Sequence, residues 1–317
     1  MSSLPRRRVG SSDVEVSALS VGSWHTYDRM DFADAVAMIR TAVAAGVNLF
    51  DVGVYGFPGM PPVFTDVIWS AIMRASGIPR EEYLVSAKLW LEGFGDEGFR
   101  PQLENAFLRG GFDVADLVIL GDIRRDDIVL EDLVEDLAAL TKAGLIRAWG
   151  VNNWSATNIR RLQEIAAERG VAGPQIAQLK YSIGRRSIPD GEPFAALFAE
   201  GFSMQASDVL EGGLLAGSTT GREIGRDPGG VQEKIRENAA AVAEVAAKLG
   251  TSAARLAVAF TLTHPANVTT LFGATKQSQL ADNLAAVDLV EQVGAEELRA
   301  LVEPFWVDRG VVDPEGP

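Results

Sequence analysis

Eight short, apolar, β-rich runs recur along this chain at intervals of mostly about thirty residues, the length of one βα unit. They are Ala18–Val21, Asn48–Asp51, Leu84–Ala87, Leu117–Leu120, Ala148–Val151, Ile176–Leu179, Phe202–Ala206 and Val268–Phe272. Segments of helical period lie between them, among them Phe32–Ala45, Phe64–Ala75, Leu130–Ala143, Ala156–Arg169, Gln232–Leu249 and Ser252–Thr263. Strands joined by helical crossovers pair in parallel, because each crossover covers a sheet face. An open doubly wound sheet would carry a G-x-G-x-x-G turn after an early strand. The first run continues instead as Val21-Gly22-Ser23-Trp24-His25. The pattern therefore predicts an α/β chain folded as a (β/α)8 TIM barrel, with Arg7–Ser17 as an N-terminal β-hairpin. No linker interrupts it, so residues 1–317 read as one barrel domain, and Ser218–Gly230 as a long loop after the seventh strand.

Composition narrows the function classes. Hydrophobic residues make up 47% of the chain, enough for a full core. No apolar run approaches the ~20 residues that span a bilayer, and no secretory signal is visible. The absence of cysteine excludes disulfides and thiolate chemistry and fits a cytoplasmic protein. Two histidines, His25 and His264, are too few for a multi-histidine metal site. A net charge of −14 argues against nucleic acid or an anionic membrane as partner and leaves a small-molecule substrate. Oligomeric state is not legible.

In a barrel, residues just past the strand C-termini share one mouth. Asp51 ends the second run, Lys88 follows the third, Gly121 the fourth and Asn152-Asn153 the fifth, while Gln178 lies near the end of the sixth. Polar groups at apolar strand ends are costly to bury without partners. A carboxylate beside Lys88 would keep its ammonium charged, and a tyrosine beside that ammonium, Tyr55, would release its proton more readily near neutral pH. An Asp–Lys pair that merely ties two strands together would look the same in sequence.

The stretches Gly46–Asp51 with Tyr55-Gly56, Ser86–Trp90, Trp149–Ser155, Leu256–Pro265 and Gly273–Asn283 occur in register along nearly the whole chain. With these, the chain resembles the aldo-keto reductases and, within them, the β-subunits of voltage-gated potassium channels. The resemblance implies an NADP-dependent oxidoreductase that reduces a carbonyl, an imine or a conjugated C=C bond of a small organic substrate. Tyr55 would be the proton donor, tuned by Lys88 and Asp51. Asp51, Asn152, Asn153 and Gln178 would lie at the nicotinamide, with Ser23, Trp24, Ser207, Leu210, Gly212 and Leu214 also against the cofactor. Gly273, Thr275, Gln279, Asp282 and Asn283 would hold the adenosine end at a helix start, with Lys276 as a charge for a 2′-phosphate.

Departures from the family gather at the chemistry. Only Val52, Gly53 and Val54 separate Asp51 from Tyr55, one residue fewer than is usual, enough to move the phenol by up to ~3.5 Å. Gly121 stands where the family has a carbonyl-orienting histidine, which the channel β-subunits also lack. Ser207 stands for the ring that stacks on nicotinamide. Asp208 and Glu211 bring carboxylates toward the expected pyrophosphate, where like charges repel, and Arg222 or Arg226 could swing in to compensate. His25, after the first strand, could orient substrate or exchange protons in place of the missing imidazole. Trp24, Tyr27, Trp90 and Trp154 suggest an aromatic substrate wall. These departures leave three readings in view: an atypical reductase; a lyase or isomerase (dehydratase or cyclase) that binds NADP weakly or not at all; and a nicotinamide-sensing regulatory protein.

Overall fold

The computed structural model describes residues 4–54, 63–218, 221 and 225–316; Tyr55 and Arg222 lie outside the described residues. Eight parallel strands close into a barrel: β3 (Leu19–Gly22), β4 (Leu49–Val52), β5 (Leu84–Leu89), β6 (Ala115–Leu120), β7 (Ile146–Asn152), β8 (Ile176–Lys180), β9 (Ser203–Ser207) and β10 (Asn267–Phe272), with β10 returning to β3. Each matches one of the eight apolar runs to within a few residues. An antiparallel hairpin, β1 (Arg6–Arg8) and β2 (Glu15–Ser17), precedes them, in the register Arg7↔Val16.

Helices cover the outside: α1 (Phe32–Ala44), α2 (Thr65–Ser76), α3 (Arg100–Gly110), α4 (Leu130–Lys142), α5 (Ala156–Arg169), α6 (Ser187–Asp190), α7 (Phe194–Ala199), α8 (Gln232–Lys248), α9 (Ala253–Leu262), α10 (Gln277–Leu284), α11 (Ala286–Val293) and α12 (Ala295–Val302). Their ends obey local chemistry. Asp31 caps α1 by accepting from the backbone N–H groups of Ala33 and Asp34, and Ser155 and Ser252 cap α5 and α9 in the same way. Gly77, Gly111 and Gly170 end α2, α3 and α5 with positive φ, a conformation glycine adopts without a Cβ clash. No single helix among the described residues is long and apolar enough to cross a membrane.

Side-chain alternation along the strands sorts the barrel interior into layers. At the bottom, Val9, Val14 and Val16 of the hairpin pack against Leu49, Leu117, Ile119, Ala148, Ile176 and Val268, so the hairpin plugs that end. Arg7 reaches from the hairpin to the carbonyl of Asn267. Two residues further along their strands, Leu49 and Ile176 give way to Asp51 and Gln178 on the same inward face. Gly150 has no side chain because a Cβ there would lie 2.1 Å from the carbonyl oxygen of Ile176. The barrel thus changes from apolar below to polar at its C-terminal rim.

On the outer wall, His264 is buried among Tyr181 and Phe198. Its Nδ1 accepts from the backbone N–H of Ala266 at 3.2 Å, and its Nε2 lies 3.1 Å from the carbonyl of Pro189. Burial holds its pKa below the usual imidazole value. The unfolded chain therefore binds this proton first as pH falls, and stability is lost from about pH 6.5 down through the lower native value. Thermal unfolding at pH 7.5 and pH 5 (~ values chosen to bracket that range) is expected to show a fall in Tm that is smaller by ~2 °C or more in His264→Gln.

Candidate active site

A cleft of about 1870 Å³ opens at the C-terminal rim. A smaller cavity of about 150 Å³ lies at the opposite end, lined by Ser11, Arg147 and Gln175 among others. The larger cleft lies at the rim, where active sites of this fold gather.

Asp51, Lys88 and Gln178 meet at the cleft floor. Lys88 Nζ donates to Asp51 Oδ2 at 3.1 Å and to Gln178 Oε1 at 2.7 Å. Gln178 Nε2 donates to the same Asp51 oxygen at 3.1 Å and to Gln205 Oε1 at 2.6 Å. All four side chains are buried, Lys88 at 7% exposure. The ammonium has three protons and uses two within this cluster. Gln178 thus bridges the lysine and the aspartate, and it also lines the cleft. Gln205, which the sequence did not single out, extends the network; its Nε2 is buried with no hydrogen-bond partner among the described residues.

Asn152 and Asn153 line the cleft as expected, but their amide groups serve a residue the sequence reading passed over. Both donate to Asp122 Oδ1, at 2.5 and 3.1 Å. Asp122 follows Gly121 directly, so its place past a strand end was the available signal. At Gly121, where the resemblance implied an imidazole in the family, the space beside the backbone is taken by Trp90. A Cβ on Gly121 would lie 2.6 Å from Trp90 Cε3, and the Trp90 indole N–H donates to the carbonyl of Val54 at 2.7 Å. Gly121→His is therefore expected to displace Trp90 and cost ~1–3 kcal/mol of stability rather than restore an imidazole, as a denaturant midpoint would register.

The turn after β9 corrects the expected repulsion. Glu211 is fully buried, held by Ser182 Oγ at 2.6 Å and Arg185 Nε at 3.2 Å. Burial raises the Glu211 carboxyl pKa, and the adjacent guanidinium opposes that rise. Asp208 pairs with Lys180 Nζ at 2.5 Å. Both carboxylates are thus neutralised internally and do not meet as bare like charges. Arg226 does not swing in as a counterion; it donates to the carbonyl of Glu315 at 2.7 Å and of Ile123 at 3.2 Å. Lys180 was another omission, although it lies two residues beyond Gln178 on the same strand face. Ser207, Leu210, Gly212 and Leu214 line the cleft beside Asp208.

Trp24 and His25 also line the cleft, with their rings 4.2 Å apart. Ser23 is buried below them and donates its backbone N–H to the Asp51 carbonyl at 2.9 Å. Tyr27 and Trp154 do not form the wall: Tyr27 is buried, and Trp154 is fully buried with its indole donating to the carbonyl of Gly121. Among the described residues, the non-glycine residues with positive φ are His25, Asn153, Asp208 and Glu211. Each follows a barrel strand, and such conformations collect at functional sites.

The far end of the cleft is built by β10 and α10. Gly273, Thr275, Gln279, Asp282 and Asn283 line it, together with Ser278. Thr275 donates its backbone N–H to Gln279 Oε1 at 2.9 Å. Lys276 is the N-cap of α10, is exposed, makes no side-chain cap and is not part of the cleft wall. Asp282 is committed to Arg255, at 2.8 Å, and to Ser252. A first turn without a side-chain cap presents backbone N–H groups that suit a phosphate. Arg236 and Arg226 also line the cleft. The donor set therefore fits an anionic dinucleotide.

Comparison with known proteins agrees with this architecture. The model of the aldo/keto reductase family matches residues 18–303. A probable voltage-gated potassium channel subunit beta of Oryza sativa subsp. japonica is 27% identical over 303 residues, covering 90% of this chain and 91% of that protein. A putative voltage-gated potassium channel subunit beta of Schizosaccharomyces pombe is 24% identical, covering 95% and 93%. Protein Tas of Escherichia coli is 28% identical over 334 residues, covering 91% and 95%. With the closed eight-stranded barrel, its hairpin plug and a family match over most of its length, this chain belongs to the aldo/keto reductase family.

Proposed function

We propose that the chain is an NADPH-dependent reductase of a polarised double bond in a small organic molecule. The observation that carries this reading is the buried Lys88–Asp51–Gln178 cluster at the floor of the large rim cleft of an aldo/keto reductase barrel. The first turn of α10, with Thr275, Ser278 and Asn283, would hold the adenosine end of the cofactor, and Asn152 and Asn153 lie at the other end of the groove. When bound, the cofactor supplies a hydride. Asp51 and Gln178 orient the Lys88 ammonium, which keeps a third proton uncommitted among the described residues, and Tyr55 is the expected donor to a neutral substrate. Trp24, His25 and Trp90 form the substrate side of the cleft and exclude water.

Titration with NADPH tests the reading. Trp24 and Trp90 border the cleft, so their emission is expected to fall saturably with a dissociation constant at or below about 10 μM. Emission that stays unchanged, with no heat of binding in a parallel calorimetric titration, would overturn it.

A further inference from the structure

We infer that the substrate of this cleft carries a positive charge beside its reacting bond, as a protonated C=N group, and that Asp122 selects it. This rests on the nicotinamide-dependent reading above and narrows its substrate class.

The charged groups at the cleft floor fall into three sets. Lys88 with Asp51 is balanced, and so is Lys180 with Asp208. The third joins Arg124 to two carboxylates, Asp122 at 3.7 Å and Glu92 at 3.9 Å, while the nearby Arg226 spends its guanidinium on the backbone carbonyls of Ile123 and Glu315. The Arg124 side chain is 47% exposed and screened by water, whereas that of Asp122 is 8% exposed. The two asparagine amides take Asp122 Oδ1, and Oδ2 makes no hydrogen bond among the described residues. Asp122 is thus an oriented carboxylate on the cleft wall, held by neutral donors that leave its charge intact.

Its setting suits a cation. Trp90 lies over Gly121, the residue before Asp122, and Trp24 lines the same cleft. Indole faces attract cations, and aromatic rings joined to a carboxylate make an ammonium site. A carboxylate is the wrong charge beside a carbonyl oxygen, which becomes negative as hydride arrives. Beside an imine nitrogen it raises the pKa and keeps the electrophilic, protonated form populated.

The chemistry then closes without an imidazole at position 121. The iminium carbon accepts the hydride, and the C=N π pair becomes the nitrogen lone pair. The iminium is reduced to an amine while the nicotinamide is oxidised. No proton is drawn from the protein in that step, and the amine takes its proton from water afterwards. Because the positive charge is present before reaction and fades during it, Asp122 contributes to binding, and its loss registers in KM rather than kcat.

The test has two arms. In the first, calorimetry measures binding of N-methyl tetrahydroisoquinoline, an amine of the product class, to the cofactor-free protein. Asp122→Asn is expected to weaken it roughly 10- to 100-fold, the value of a charge-assisted contact. Arg124→Ala, at a largely exposed side chain, is expected to strengthen it about threefold or more by removing the compensating cation. In the second arm, the NADPH-loaded protein is offered N-methyl dihydroisoquinolinium, a permanent cation, and tetralone, a neutral ketone of similar size. The cation is expected to have the higher kcat/KM by about 100-fold, with an increase in its KM alone in Asp122→Asn. Amine binding that is absent, or equal in wild type and both variants, overturns the inference, as does equal turnover of the two substrates. Failure of NADPH to bind, with amine binding still dependent on Asp122, would refute the reductase reading and leave the cation site standing.

Discussion

Lys88→Met is expected to lower turnover of neutral substrates, which need a proton, by about 10²- to 10⁴-fold, and to lower stability by about 3–5 kcal/mol. The stability loss follows from what remains. Asp51 is 4% exposed, and without the ammonium its carboxylate keeps, among the described residues, only the amide of Gln178. A buried charge stripped of its partner costs more than the pair itself contributes. Asp51→Asn added to Lys88→Met removes that charge and is expected to recover most of the stability but none of the turnover. Urea denaturation and NADPH oxidation, measured on both variants, separate the structural role of the pair from its chemical one.

Arg185→Leu is expected to have an effect of similar size by another route. The guanidinium is 2% exposed and joins two parts of the rim: Glu211 after β9, and the adjacent residues Asp227, at 2.6 Å, and Pro228, whose carbonyl accepts at 3.2 Å. Asp227 in turn accepts from the backbone N–H groups of Val231 and Gln232 at the start of α8. Removing the cation leaves Glu211 fully buried beside only Ser182, at an expected cost of about 3–5 kcal/mol. Because the Asp208–Ser218 turn forms one wall of the cleft, cofactor affinity should fall with it. A protein whose melting point and NADPH affinity survive Arg185→Leu would show that the turn is held by other means.

The barrel was legible because its signals are local. Each strand is a short apolar run bounded by a capped helix or a glycine turn, and the interval between runs is set by the crossover. Asp51, Lys88 and Gln178 stood out for a related reason: each is polar where the pattern demands an apolar residue. Their partnership was legible only in part, because Gln178 also had a plausible place at the cofactor. What the sequence concealed is pairing across the rim. Glu211 and Arg185 are 26 residues apart and on different loops, so the carboxylate read as an exposed charge rather than half of a buried pair. The Trp90 ring over Gly121 joins two strand ends whose order in space follows only from closure of the barrel. Asp122 and Lys180 did leave a trace, since each follows a strand end by one or two residues.

Single-turnover mixing of the NADPH-loaded protein with a panel of small neutral imines, aldehydes and ketones, whose reduction requires a proton, followed by loss of the reduced-nicotinamide absorbance, bears most directly on the Lys88–Asp51–Gln178 floor as reaction centre. Wild type should oxidise the bound cofactor with at least one class of substrate, while Lys88→Met binds NADPH with unchanged affinity and oxidises none. Equal rates in the two proteins would mean that the buried lysine only ties strands together and that the chemistry lies elsewhere.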